Sequence, residues 1–169
     1  MQIAYDTETL IKNLMETEAA YAEIFLSIDP GKINSIPSYG GWTPGELLNH
    51  VTKATNGMPH ILHKKGKTAE REVDQKVEGF RKIMTDFHHK FESPDFIVPD
   101  KRAYDKAESL QAFQRNFVSM PEAIRTARPD EIVEGLPMGE VTKLELMHFT
   151  LFHLQRHLQQ LKNIKAALG

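Results

Sequence analysis

Residues 142–167 read TKLELMHFTLFHLQRHLQQLKNIKAA. Leu146, Phe149, Thr150, His153, His157, Leu161 and Ile164 recur at i, i+3, i+4 spacing, the period of one helical face. Glu145, Gln155, Arg156, Gln159 and Lys162 fall mostly elsewhere. The stretch therefore predicts a long amphipathic helix from about Thr142 to Ala167. Its apolar face carries two imidazoles four residues apart, one turn above the other.

The same period governs most of the chain. A first helix is expected from about Asp6 to Ile28, with Leu10, Leu14, Tyr21, Phe25 and Ile28 inward. Asp29-Pro30-Gly31 ends it, and a polar loop with Gly40 and Gly41 follows. Thr43 suits an N-cap, Pro44 the first helical position, and Glu46 completes a T-x-x-E capping box. Trp42 and Leu47 stand at the positions of a hydrophobic staple. Leu47, His50, Val51 and Ala54 then share a face, and Asn56-Gly57-Met58-Pro59 predicts a break. A charged helix is expected over 69–91, with Val73, Val77, Phe80, Ile83, Met84 and Phe87 as its stripe. Asp95 to Pro99 reads as an extended connector. A further helix spans about Lys106 to Arg128, with Leu110, Phe113, Phe117 and Ile124 inward and a bend or restart at Pro121. Residues 129–141, with two prolines and two glycines, read as a loop. Strand signals are nearly absent. The expected fold is all-α: a four-helix bundle with an additional helix, and a crossover connection through residues 93–105. No repeat or linker divides the chain, so residues 1–169 are expected to form one domain.

Bulk composition narrows the function classes. The chain has 21 basic and 23 acidic side chains, a formal net charge of −2, with 40% hydrophobic and 26% charged residues. No global basic field is available to hold nucleic acid or an anionic membrane surface. There is no cysteine, which excludes disulfides, thiolate ligands and a cysteine nucleophile. The N-terminal stretch MQIAYDTETLIKNLMETEAA lacks a basic patch followed by an apolar run, and no stretch approaches the ~20 apolar residues of a membrane helix. A cytoplasmic protein is expected.

Eight histidines are the unusual count. His153 and His157 fall on the apolar face, and H-x-x-x-H gives a suitable bite for one transition metal. Imidazoles in an apolar core need partners. A shared cation supplies one, and separate hydrogen bonds to backbone carbonyls are the plainer alternative. His50, on another apolar face, is the third candidate. Three imidazoles would leave a coordination position open. Gln160, one turn beyond His157, is placed to orient a ligand or a bound water. His148 reads as a surface or packing residue, and His60 and His63 are expected to face solvent, with a rim or second-metal role as their sharper alternative. His88 and His89 suit the C-terminal end of the charged helix. Phe149 and Phe152 read as core. Leu154 follows His153, so the H-E-x-x-H general base is missing. Glu46 is committed to its capping box, and no catalytic acid or base is assigned.

W-T-P-G-E-L-L-N-H at 42–50 and H-L-Q-R-H-L-Q-Q at 153–160 resemble the DinB/YfiT-like superfamily of metal-binding four-helix bundles. That resemblance implies His50, His153 and His157 as metal ligands and matches Gln160 to the family's glutamine. Gln159 stands where the family often has a small residue. The resemblance implies a divalent transition metal, zinc or nickel first and iron or manganese next. It also implies homodimers, and chemistry of the thiol-transferase or hydrolase kind on a small molecule, with a low-molecular-weight thiol as a candidate substrate. Such a substrate would sit in a cleft at the bundle end near Leu47 and Phe149. The alternatives are a non-catalytic, stress-related metal- or ligand-binding bundle, and a dimeric interaction module without metal.

Overall fold

The computed structural model of the chain describes residues 6–169. Residues 1–5, the start of the N-terminus and of the domain expected above, lie outside the described residues. Helix α1 covers Thr7–Ser27, and the Asp6 carboxylate caps it by accepting from the Thr9 N–H at 3.1 Å. Helix α2, Pro44–Thr55, begins with the full capping box: Glu46 N–H donates to Thr43 Oγ1 (3.1 Å) and Thr43 N–H donates to Glu46 Oε2 (2.9 Å). Gly57, at φ 77°, takes the left-handed conformation that separates α2 from α3, Met58–His63. Helix α4 is Val77–Thr85, α5 is Lys106–Arg115, α6 is Met120–Thr126 and α7 is Lys143–Leu168. Leu10, Leu14, Tyr21, Phe25, Phe113, Phe117, Leu154, Leu161 and Ile164 meet in one core.

Four limbs make the bundle: α1, α2 with α3, α5 with α6, and α7. Packing partners place α1 beside α7 and α5–α6, and α2 beside α5 and α7. Their directions follow from end-to-end contacts. The Tyr21 hydroxyl donates to the Leu154 carbonyl (2.6 Å), and Lys32 Nζ donates to the carbonyls of Leu168 and Gly169, so α1 and α7 run parallel. Lys106 Nζ donates to the carbonyls of Leu26 and Ile28, while Arg125 pairs with Glu8 at the other end, so α5–α6 opposes α1. Because α2 packs on α5 and α3 on α6, those two limbs are parallel. Consecutive parallel limbs require the chain to travel back along the bundle. Residues 64–105 make that return and carry α4, the additional helix, which packs on α7.

The structure corrects three local expectations. The helix expected over 69–91 is reduced to Val77–Thr85. Residues ahead of it are held by distant partners instead: Thr142 Oγ1 donates to the Val73 carbonyl (2.6 Å), and Arg71 forks onto Glu145 with two 2.7 Å bonds. Phe87 and the two histidines after it therefore follow the helix rather than end it. Asp95–Ile97 is a 3-10 turn rather than an extended connector. Residues 129–141 contain a short strand, β1 (Ile132–Val133), paired antiparallel with β2 (Val141–Thr142). Pro121 lies in the first turn of α6, where its missing N–H is harmless, so the helix restarts there after a break at 116–119.

Glu145 ties these pieces together. Its side chain is fully buried, and it accepts from Arg71, from the Lys76 N–H (2.8 Å) at the start of α4, and from the Thr142 N–H (2.9 Å) in a second capping box. One carboxylate thus fixes both the register of α7 and the position of α4 beside it.

Candidate metal centre

His50 sits two turns into α2, and the Thr43–Glu46 box sets its azimuth. His153 and His157 sit one turn apart on α7, which runs antiparallel to α2. The three Nε2 atoms converge: His50 Nε2 lies 3.3 Å from His153 Nε2 and 3.1 Å from His157 Nε2. All three rings offer a ligand nitrogen within 4.8 Å of the others. His50 is buried, while His153 and His157 are half-buried and form part of a cavity wall. The α7 face therefore opens on a cavity at this point instead of sealing into the core.

Outer partners set the tautomers. His50 Nδ1–H donates to the Ile97 carbonyl (2.8 Å), and His157 Nδ1–H donates to Gln160 Oε1 (2.8 Å). A neutral imidazole protonated at Nδ1 has its lone pair at Nε2. Two lone pairs are thus aimed at each other at hydrogen-bond distance with no proton between them, an arrangement a cation relieves. Burial, followed by the neighbouring His50 ring, pushes the His157 imidazole down to about 3, against the pull of Gln160. Burial, reinforced by His157, His50 and Arg156, holds His153 well below its usual value. Burial also lowers His50, opposed by its bond to Ile97. All three are neutral near pH 7, the form that ligates a metal. The donor set fits a divalent transition ion.

Aromatic rings brace the cluster. Trp42 packs on His50 with ring centroids 4.7 Å apart, and Phe149 stacks on His153 at 5.9 Å with planes 16° apart. Phe149 in turn meets Phe80 of α4 edge-on at 5.1 Å. Beyond them lies an open cavity of about 1550 Å³. Phe149 lines it, near the cleft expected there, and is half-buried rather than core, as is Phe152; Leu47 is fully buried in the core and does not reach the cavity. His60, His63, His88 and His89 are exposed and outside the cluster. His148 is half-buried beside Phe152. Two participants were not foreseen. The Ile97 carbonyl is backbone and carries no sequence signal. Arg156 donates to the carbonyls of Met84, Asp86 and His89, strapping the segment after α4 over the cavity. Its position one residue before His157 was the available hint.

A family model described as the DinB superfamily matches residues 13–161. An uncharacterized protein of Bacillus subtilis (strain 168), YuaE, is 24% identical over 138 residues, covering 79% of this chain and 83% of the relative. Among solved structures, YfiT from Bacillus subtilis, described as "a probable metal-dependent hydrolase with an unusual four-helix bundle topology", aligns with TM-score 0.65 at 13% identity, covering 100% of this chain and 91% of that one. TT2238, a four-helix bundle protein, aligns with TM-score 0.58 at 16% identity, covering 93% and 98%. At these identities the two structures speak for the fold. Among the described residues, no helix is long and apolar enough to cross a membrane.

Proposed function

The chain belongs to the DinB superfamily, and from that premise we propose that it is a metal-dependent enzyme activating a small nucleophile. His50, His153 and His157 hold one divalent ion, zinc or nickel in first place. The observation that carries this reading is the convergence of three Nε2 atoms whose partner Nδ1 protons, on His50 and His157, are already committed outward. When bound, the ion supplies Lewis acidity and an open coordination position at the cavity floor. The chain's own residues do the rest. Ile97 and Gln160 keep two rings in the ligating tautomer, Trp42 covers one face of His50, and Phe149 and Phe80 shield His153 from bulk water.

Among the described residues lining the cavity, the one carboxylate is Glu92, on the exposed segment after α4. Chemistry that does without a carboxylate base is therefore favoured. A thiol ionises near 8.5, far below water, and needs the least help. Addition or transfer of a low-molecular-weight thiol is the leading reaction. Hydrolysis is the second reading, favoured by the likeness to YfiT and by the fact that three-histidine sites can activate water.

Elemental mass spectrometry on untagged protein tests the premise. About one divalent ion per chain is expected, lost in His50→Ala. Thiol-transfer and hydrolysis substrates are then screened with the ion found. Absence of metal after reconstitution with zinc, nickel, iron and manganese would overturn the proposal. A bound ion whose loss in His153→Ala lowers the melting temperature sharply, with neither activity detectable, would mark a structural metal instead.

A further inference from the structure

Nine large apolar side chains are strongly exposed among the described residues, and six of them, Tyr39, Ile83, Phe87, Phe91, Phe96 and Val98, line the one cavity above the histidines. Scattered exposed apolar residues are normal, but a contiguous set around a recess marks a binding surface. The recess, about 1550 Å³, exceeds the ~300–1000 Å³ usual for small-ligand pockets. A small thiol alone would leave most of its wall wet. The charged side chains on the lining are Lys53, Lys90, Arg156 and Glu92, three positive against one negative. Lys53 is paired with Asp100, and Arg156 is bound to backbone carbonyls, so the wall keeps a mildly positive polar margin around an aromatic interior.

We infer that this cavity takes a small molecule with an extended apolar body and a polar group that is anionic or neutral, never cationic. The apolar body lies on the aromatic wall formed by α4, the strapped segment after it and Phe96. The reacting end reaches the histidines. A second copy of the chain is the competing occupant. It fits less well, because a partner surface would have to fill a concave recess of about 1550 Å³ lined by the three imidazoles rather than cover a flat face. The inference rests on the proposed function only for the role of the reacting end, and not for the apolar body.

Isothermal titration of hexanoate, octanoate, decanoate and dodecanoate into metal-free and zinc-loaded protein tests it, with decylammonium as the charge-reversed probe. Affinity is expected to rise about fourfold per added methylene until the wall is covered. Decylammonium should bind at least ~10-fold more weakly than decanoate, because the margin is net positive. The double variant Phe87→Ser/Phe96→Ser should lose ~10-fold or more for decanoate. Its melting temperature should hold, since both rings are exposed. Affinity independent of chain length, decylammonium binding as well as decanoate, or an unchanged double variant would overturn the inference. A concentration-dependent dimer abolished by the double variant, with no chain-length effect, would assign the rim to a second copy. The two readings fail separately. A chain-length slope in protein that binds no metal sinks the metal proposal alone, and one bound metal with a flat slope sinks this inference alone.

Discussion

Replacing Arg71 with Met should expose how much the Glu145 junction contributes. The Glu145 side chain is fully buried, and Arg71 supplies two of its hydrogen bonds while remaining 23% exposed. Breaking a buried pair by removing one partner costs ~3–5 kcal/mol. Partial exposure of Arg71 screens the pair, and the Thr142 and Lys76 N–H groups still solvate the stranded carboxylate. We expect a loss of about 2–3 kcal/mol, or roughly 5–10 °C in melting temperature for a chain of this size. The effect should depend on pH with a definite sign. Burial pushes the Glu145 carboxyl up, but Arg71, Thr142 and Lys76 together outweigh it and hold the group below the usual carboxylate range. A depressed carboxyl contributes stability that is fully present above its unfolded value and is lost as pH falls through the folded value. Without Arg71 the folded carboxyl titrates higher. The gap between wild type and variant is therefore widest near pH 7 and narrows as the pH falls into the carboxylate range. Thermal melts by circular dichroism across that range measure it. A gap that stays constant, or widens in acid, would refute the assignment of this pair as an ionic junction.

Gln160→Leu removes the acceptor for His157 Nδ1–H; metal affinity should fall ~10–100-fold by competition with a chelator, with the metal-free melting temperature little changed. Gly45→Ala places a Cβ 2.8 Å from the Tyr104 ring, so melting should report a loss of about 1–3 kcal/mol from overpacking. Thr43→Ala removes the cap that sets the azimuth of His50; a loss of about 1 kcal/mol is expected in denaturant titration, with one metal per chain retained at saturation.

What could be read in the sequence followed the range of the interactions involved. Thr43 and Glu46 cap within three residues, so the start of α2 and the inward aim of His50 were legible locally. The pairing of His153 with His157 was legible for the same reason, His50 followed as a third candidate from its own apolar face, and the resemblance implied all three as ligands. The α4 region was not. Val73 to Phe87 has the right period for a long helix, yet Arg71 and Thr142 tie residues 71–73 to α7 from about seventy positions away. The T-x-x-E box at 142–145 is equally local and fixes the start of α7 in the same way. The cavity was illegible because its wall is assembled from Phe80, Phe96 and Phe149, which share no single periodic face. Gly45 gave no local cue either: its need to be glycine comes from Tyr104, across the core.

The order in which the limbs pack has a consequence during synthesis. Helix α7 contacts α1, α2 and α4, and it is made after the other six helices. While the chain emerges from the ribosome, the inward faces of α1 and α2 face a vacant corner, and His50 waits a hundred residues for its neighbours. Parallel limbs and long returns also make for slow closure. A nascent bundle of this kind stays sticky until α7 is released. Under the proposed function, metal capture is a late event, and a ribosome stalled before residue 143 would present a substrate for chaperones or proteases rather than an early metal site.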